Sequence, residues 1–513
     1  MSDTVLAKVD YLKPLEDQPY NQVVSERQHY FAQQKARLEK ILGPEHVCTD
    51  PAALDALSRD RSLEEAGRPG FILRPENLEK LAALVKYANV AALPLTPLSS
   101  GTHTDGSTLV RMGGAAIDLS GWKQIQKIDP RNRSVRVQPG VTYGQLQESL
   151  AKENLRALFP LLPRRDQSVL TSNLEAQPRL IPEFNYSEPV YTMEIVMPSG
   201  DIFRTGTAAL GPPELNHSDM IGPWGPGFDW NRLYTRSQGT LGIVTWMNIM
   251  AEPLPSRQKI FFTASENLDT LVNFTYRIQR KWLGYECFIL NRTALALMLA
   301  QRMPEDYERL KKRLPAYTQI FCIGGLRRYP DERIAWQEAD FLETARESGL
   351  APQPNMSRAP RAAAFFESNL LRCWDGEVYW KDRLKGSSSD IFFITTMNHA
   401  SRFIEAMQHE TIKAPAAIDD MGIYLQPIEN GRACHLEFML PYDPADRDDC
   451  ASMRQVHGSA SRHMYGLGAL FTRAYGPWAD MTASGNAVQF QTAKMVKDVL
   501  DPKNIMNPGK LGL

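Results

Sequence analysis

The chain has 513 residues, enough for two or more domains at about 150 residues each. Hydrophobic residues make up 43% and charged residues 23%, the ordinary balance of a globular protein. The formal net charge of −1 leaves no electrostatic case for nucleic-acid binding, and no apolar run approaches the ~20 residues of a membrane-spanning helix.

Residues 1–10 carry charges where a signal peptide has its apolar core, so a cytoplasmic location is expected. Residues 1–45 read as a polar extension with one helix over 28–42, of the kind that packs on a neighbour or a partner. Residues 46–110 alternate helical and short strand patterns. A helical pattern after Arg74-Pro75 runs into the loop Pro94-Leu-Thr-Pro-Leu-Ser-Ser-Gly-Thr-His-Thr-Asp-Gly-Ser107, which leads to an apolar segment at 115–119. Gly101 and Gly106 permit positive φ, so successive N–H groups of this loop can form a nest for phosphate. The alternative is an ordinary Ser/Gly turn.

Strand signals dominate residues 115–250, with alternation at 134–138 and 192–197, while 141–153 has helical spacing. Residues 206–229 hold Gly-Pro-Pro and Gly-Pro-Trp-Gly-Pro-Gly and read as a long loop. The best boundary is Pro253-Leu-Pro-Ser-Arg257, after which helices and strands alternate to about residue 455. Within that stretch a strand pattern places His435, Glu437 and Met439 on one face and Cys434, Leu436 and Phe438 on the other.

Six cysteines lack Cys-x-x-Cys spacing, which argues against a disulfide framework, a zinc site or an iron–sulfur cluster. No Gly-x-Gly-x-x-Gly, Walker loop, His-Glu-x-x-His or Gly-x-Ser-x-Gly is present.

Behind the 94–107 loop come, in order, Gln138-Pro-Gly-Val-Thr142, Ser168-Val-Leu170, the strand ending Arg204-Thr-Gly206, Ser237-Gln-Gly-Thr-Leu-Gly-Ile-Val-Thr245 and Asn507-Pro-Gly-Lys510. This series resembles the flavin-binding domain of the vanillyl-alcohol oxidase and p-cresol methylhydroxylase (PCMH) superfamily. The resemblance implies an α+β protein: an N-terminal extension (1–45), a two-subdomain PCMH-type FAD-binding unit (46–255), an α+β cap that binds substrate (256–479), and a return of 480–513 to the FAD unit. It implies that Ser99, Ser100, Gly101, Thr102, His103, Thr104 and Gly106 hold the FAD diphosphate. Ser168, Gly239, Thr240, Gly242, Ile243 and Lys510 complete the cofactor site. A β-bulge or tight strand turn is the other reading of the Gly239 stretch.

Covalent attachment of the flavin has two candidates. His103 resembles the loop histidine used by one branch, and His435 lies close to the cap histidine used by another; dissociable FAD is the third option. Two departures stand out. Arg164, Arg165 and Asp166 replace the usual glycine-rich turn, so that one arginine faces the flavin or both are solvated. Arg473 matches the arginine that holds phenolate in the family, but Tyr475 is displaced along the chain and the phosphate loop has no tyrosine. The His-x-x-Asp-Gly-Asn-x-His pattern of the metal-assisted 2-hydroxy-acid dehydrogenases is missing, so no metal is expected.

The activity so implied is hydride transfer from a substrate carbon to flavin N5, on a 4-alkylphenol or aryl alcohol. His435, Tyr475 and Glu437 are candidate proton acceptors, and Arg473 and Arg164 candidate anion stabilisers. A flavin-dependent 2-hydroxy-acid or alcohol dehydrogenase is the alternative, and a catalytically degenerate flavin-fold subunit is an alternative of another class. The resemblance also implies a homodimer that passes electrons to oxygen or to an acceptor protein.

Overall fold

The computed structural model describes residues 20–64, 67–180, 189–211, 216–413 and 418–513, with side chains of the first helix described from Phe31 onward. Residues 1–10 and the 212–215 part of the long loop lie outside the described residues. Among the described residues no helix is long and apolar enough to cross a membrane.

The first sheet runs in the order Val47–Cys48, Phe71–Leu73, Ala115–Asp118, Leu95–Leu98, and its last three strands are parallel. Helices Tyr20–Leu42 and Leu78–Ala91 cover it, joining Leu38, Leu42, Leu81, Leu84 and Val85 to Leu73, Leu95 and Ile117 in one buried cluster. The second helix starts at Asn77, whose side chain accepts from Lys80 N–H, and ends at Ala92 in the left-handed region.

The strand Leu95–Leu98 differs from the expectation of a continuous 94–107 loop. Its Leu95 and Leu98 are buried, and it forms the sheet edge, where Pro97 removes no N–H that a neighbouring strand needs. Apolar content too short for a periodic signal is enough here, because the parallel neighbour Ala115–Asp118 supplies the pairing.

The second sheet is antiparallel, in the order Ile125–Asp129, Ser134–Val137, Ile243–Pro253, Val190–Val196, Ile202–Arg204. The far end of the long Ile243–Pro253 strand also pairs with Leu155–Ala157. The helix expected over 141–153 is Tyr143–Lys152. It begins with a capping box in which Thr142 and Gln145 each satisfy the other's backbone N–H.

The chain passes into the third sheet between Pro253 and Arg257. Its antiparallel order is Arg257–Ser265, Tyr317–Gly325, Cys287–Asn291, Gly422–Ile428, Ala433–Tyr442, Ser387–Thr395. Cys434, Leu436, Phe438, Ile391 and Phe393 pack against helices Ala400–Ile412 and Arg447–Gly466. That leaves His435, Glu437 and Met439 on the other face, the alternation expected from the sequence.

The C-terminal helix Ala487–Leu500 and the tail after it return to the first two sheets. Buried Lys497 lies 2.5 Å from Asp501 and donates to the carbonyls of Thr240 (2.7 Å) and Met506 (2.8 Å). The Asp501 carboxylate accepts the N–H groups of Ile505 and Met506. Asn507 donates its amide to the carbonyls of Ser107 (3.0 Å) and Gln238 (2.6 Å) and accepts from the Thr96 hydroxyl (3.0 Å). One side chain so joins the first sheet, the loop after it and the turn before the Ile243–Pro253 strand.

Removing one partner of a buried ion pair leaves the other charge uncompensated. Lys497→Met is therefore expected to lower stability by about 3–5 kcal/mol in urea unfolding. On the same helix, Lys494→Met breaks a half-exposed pair with Asp498 and should change stability by less than about 1 kcal/mol. Equal effects of the two variants would contradict the role assigned to Lys497.

Candidate functional site

Three segments converge in the crevice between the first and second sheets: the 99–107 loop, the turn 164–168 with the helix Val169–Leu174, and the turn 237–242. Gly101 has φ 95°, and a Cβ there would lie 2.6 Å from the carbonyl oxygen of Asp166. Gly239 has φ 73°, and its Cβ would lie 2.7 Å from the Pro97 ring. Both positions demand glycine for conformation and for space. A small cavity of about 80 Å³ remains between the segments, lined by Ser99, Ser107, Glu175, Gly239, Gly242 and Ile243 among others.

The expected cofactor residues divide into two groups. Ser99, Gly239, Gly242 and Ile243 line this crevice, and Thr102 and Thr104 face the larger cavity beyond it. Other side chains are spent on the frame. Ser168 caps the helix Val169–Leu174 and donates to Pro139 O. Thr240 donates to Ser237 O, and Lys510 donates to Gly106 O at 2.5 Å, tethering the loop. Burial pushes the Lys510 ammonium down to about 8. His103 lines neither cavity, its carbonyl accepts from Arg61 N–H, and burial pushes its imidazole down.

The crevice fits FAD. Gly101 and Gly106 turn the loop through positive φ, and the buried Ser100 hydroxyl has no partner among the described residues. A diphosphate oxygen would satisfy it.

The larger cavity, about 340 Å³, lies under the third sheet and brings together all five residues expected to act on substrate: Arg473, Tyr475, His435, Glu437 and Arg164. Strand register explains the meeting. Glu437 lies opposite Phe392 and Tyr424, and His435 opposite Ile394 and Gln426, so alternate residues of three strands share one face.

His435 Nε2 is 3.0 Å from Glu437 Oε2. The other Glu437 oxygen accepts from Lys381, whose ammonium also lies 2.6 Å from Asp390. Burial alone would raise the Glu437 carboxyl, but Lys381 and His435 beside it hold it well below the carboxylate range. Burial pushes His435 down, against the pull of Glu437. At neutral pH Glu437 is then an anion and His435 neutral, with the Nε2–H donated to Glu437 and Nδ1 left as an acceptor.

The buried Arg473 guanidinium lies 3.7 Å above the Phe392 ring. Tyr475 donates its hydroxyl to Glu175, and burial pushes Glu175 up to about 7 and Asp105 up to about 6. Arg164 faces the cavity, 2.8 Å from Asp382 and stacked 3.9 Å over Tyr379, while Arg165 is exposed and paired with Glu148. Of the two arginines, only the first belongs to the site.

Sequence reasoning missed Asp105, Glu175, Lys381, Asp390, Phe392 and Tyr424. Asp105 stood inside the loop already singled out, but nothing in the sequence displays the desolvation that raises its carboxyl. Glu175 carries no motif, and Lys381 and Asp390 depend on a strand pairing that the sequence does not display.

Known proteins resemble this chain in sequence and in fold. The family model for an FAD binding domain matches residues 69–206, and that for the C-terminal domain of FAD linked oxidases matches 477–511. The chain is 27% identical to glycolate oxidase subunit GlcD of Bacillus subtilis (strain 168), over 93% of this chain and 96% of that protein. It is 23% identical to D-2-hydroxyglutarate dehydrogenase of Stutzerimonas stutzeri (strain A1501), over 92% and 97%. In three dimensions it resembles 4-ethylphenol oxidase from Gulosibacter chungangensis in its isoeugenol complex, with TM-score 0.79, 20% identity and coverage of 94% and 97%. It also resembles substrate-bound p-cresol methylhydroxylase, with TM-score 0.79, 17% identity and coverage of 95% and 97%. The FAD binding domain at residues 69–206, the C-terminal domain of FAD linked oxidases at 477–511 and the full-length curated relatives make the chain an FAD-linked oxidoreductase, and it shares the fold of 4-ethylphenol oxidase and p-cresol methylhydroxylase over nearly its whole length.

Proposed function

We propose that the protein oxidises a 4-alkylphenol or aryl alcohol, with Arg473 holding the substrate oxyanion and His435 taking a proton. The carrying observation is the cavity itself: Phe392, Tyr424, Tyr475 and Trp478 wall it with rings, and Arg473 sits on one of them. Aromatic walls suit a planar substrate, and the likeness to 4-ethylphenol oxidase and p-cresol methylhydroxylase supports the same class. The curated relatives, a glycolate oxidase subunit and a D-2-hydroxyglutarate dehydrogenase, favour a 2-hydroxy acid as the second reading, for which Arg473 is the carboxylate clamp.

Bound in the crevice, FAD supplies the hydride acceptor. The protein does the rest. Arg473, immobilised against Phe392, presents fixed donors to a phenolate or carboxylate oxygen and needs little reorganisation to do so. His435 offers Nδ1 to the departing proton, and the Glu437 anion behind it stabilises the imidazolium that forms. Lys381 keeps Glu437 ionised for that task.

The flavin is held without a covalent bond in this reading. His103 lines neither cavity, the Nε2 of His435 is committed to Glu437, and its Nδ1 is the proton acceptor of this reading.

On acid precipitation the yellow colour is expected in the supernatant. Colour in the pellet would restore His435 and His103 as attachment sites, to be separated by His435→Ala and His103→Ala. Under anaerobic mixing, 4-ethylphenol or 4-hydroxybenzyl alcohol should bleach the flavin and D-2-hydroxy acids should not. The reverse pattern selects the second reading, and a flavin that neither class reduces selects the degenerate subunit. Arg473→Ala should lower kcat/KM for the reactive class by about 100-fold or more, measured in steady state.

A further inference from the structure

Glu175 and Tyr475 form the partition between the two cavities. Glu175 lines the crevice on the cofactor side, Tyr475 lines the substrate side, and the Tyr475 hydroxyl donates to the Glu175 carboxylate. Both side chains are buried. The charged and titratable groups facing Glu175 are Tyr475, Asp105, Arg473 and Arg236. Asp105 faces Arg473 as well, from the phosphate loop. One guanidinium beside the cavity thus already answers to two carboxyl groups, buried Glu175 and half-buried Asp105, before any substrate arrives.

An anion bound at Arg473 adds a third negative charge to this water-poor place, and like charges there disfavour one another strongly. Hydrogen-bond capacity sets a second limit. A tyrosine has one O–H to give, so Tyr475 donates either to Glu175 or to the ligand. A proton on Glu175 resolves both conflicts. The neutral carboxyl removes one charge and becomes the donor to the Tyr475 oxygen, and the Tyr475 O–H is released toward the cavity.

We propose that Glu175 is a positioning residue that couples anion binding to proton uptake: its carboxylate holds the Tyr475 hydroxyl away from the cavity, and on taking one proton from solvent it reverses that hydrogen bond and aims the hydroxyl at the anion on Arg473. The proposal rests on the reading of Arg473 and Tyr475 as the oxyanion site. No bond other than O–H changes; the proton on Glu175 comes from bulk water and returns there when the ligand leaves. Burial already raises Glu175 to about 7, and a bound anion raises it further. Anion affinity therefore falls as pH rises through that range.

Benzoate, whose own charge is constant from pH 6 to 9, is the probe, titrated into the flavin-loaded protein by calorimetry. At pH 8, paired runs in buffers of different ionisation enthalpy should show uptake of about one proton per benzoate, and Kd should weaken toward about tenfold per pH unit above 7. Glu175→Gln should bind benzoate with neither proton uptake nor that pH dependence, and Asp105→Asn should retain both. Binding by the native protein without proton uptake, retention of the uptake in Glu175→Gln, or its loss in Asp105→Asn overturns the proposal. Because the paired-buffer run needs only the native protein, absence of uptake there overturns the proposal even if the variant fails to fold. Failure of benzoate to bind at pH 6 overturns the oxyanion site itself, a different result from binding that ignores pH.

Discussion

A lysine and an aspartate with almost no access to water hold this protein's cofactor crevice together. Taking Lys497 and Asp501 out of solvent is costly, and their mutual attraction offsets that cost only when the remaining hydrogen-bonding capacity is used. Here it is used by the carbonyls of Thr240 and Met506 and by two backbone N–H groups of the tail. Since Thr240 precedes a strand of the second sheet while Met506 bridges to Leu95 of the first, the pair is satisfied only when both sheets are in place. Asn507 repeats the logic with neutral groups. The C-terminal residues are, in this sense, the last part of a wall whose first part was made at residue 95.

The substrate side is built on a different principle. A sheet with two buried faces sorts its side chains by parity: Cys434, Leu436 and Phe438 go to helices on one side, and His435 and Glu437 to a polar cavity on the other. A one-residue slip in pairing with Ser387–Thr395 would exchange these sets, so the hydrophobic face fixes the register that aligns Glu437 with Phe392. Lys381 between Glu437 and Asp390 then makes a half-buried charge arrangement that no single element contains.

This contrast explains what the sequence disclosed. The 99–107 loop, the Gly239 turn and the Asn507 tail are local: glycine at a close approach, or a short motif, survives as text. The alternation through His435 is local too and was legible. The strand at Leu95–Leu98 was not, because two leucines flanking a Thr-Pro pair carry no periodicity. Arg164 and Arg165 were equivalent on paper, and only their neighbours Asp382 and Glu148 distinguish them. Glu175, Asp105 and Lys381 are the strongest cases, since their character comes from burial and from partners far along the chain.

Asp382 offers one carboxylate oxygen to two arginines, Arg61 from ahead of the phosphate loop and Arg164 from the turn beside the crevice. Nearby, Trp374 N–H bonds to Pro163 O, and Cys373 N–H to the Gln147 side chain. The part of the chain that carries the third sheet is therefore joined to the part that carries the first two at several points beside the larger cavity. Swinging it aside would break all of these bonds together and strand a buried carboxylate.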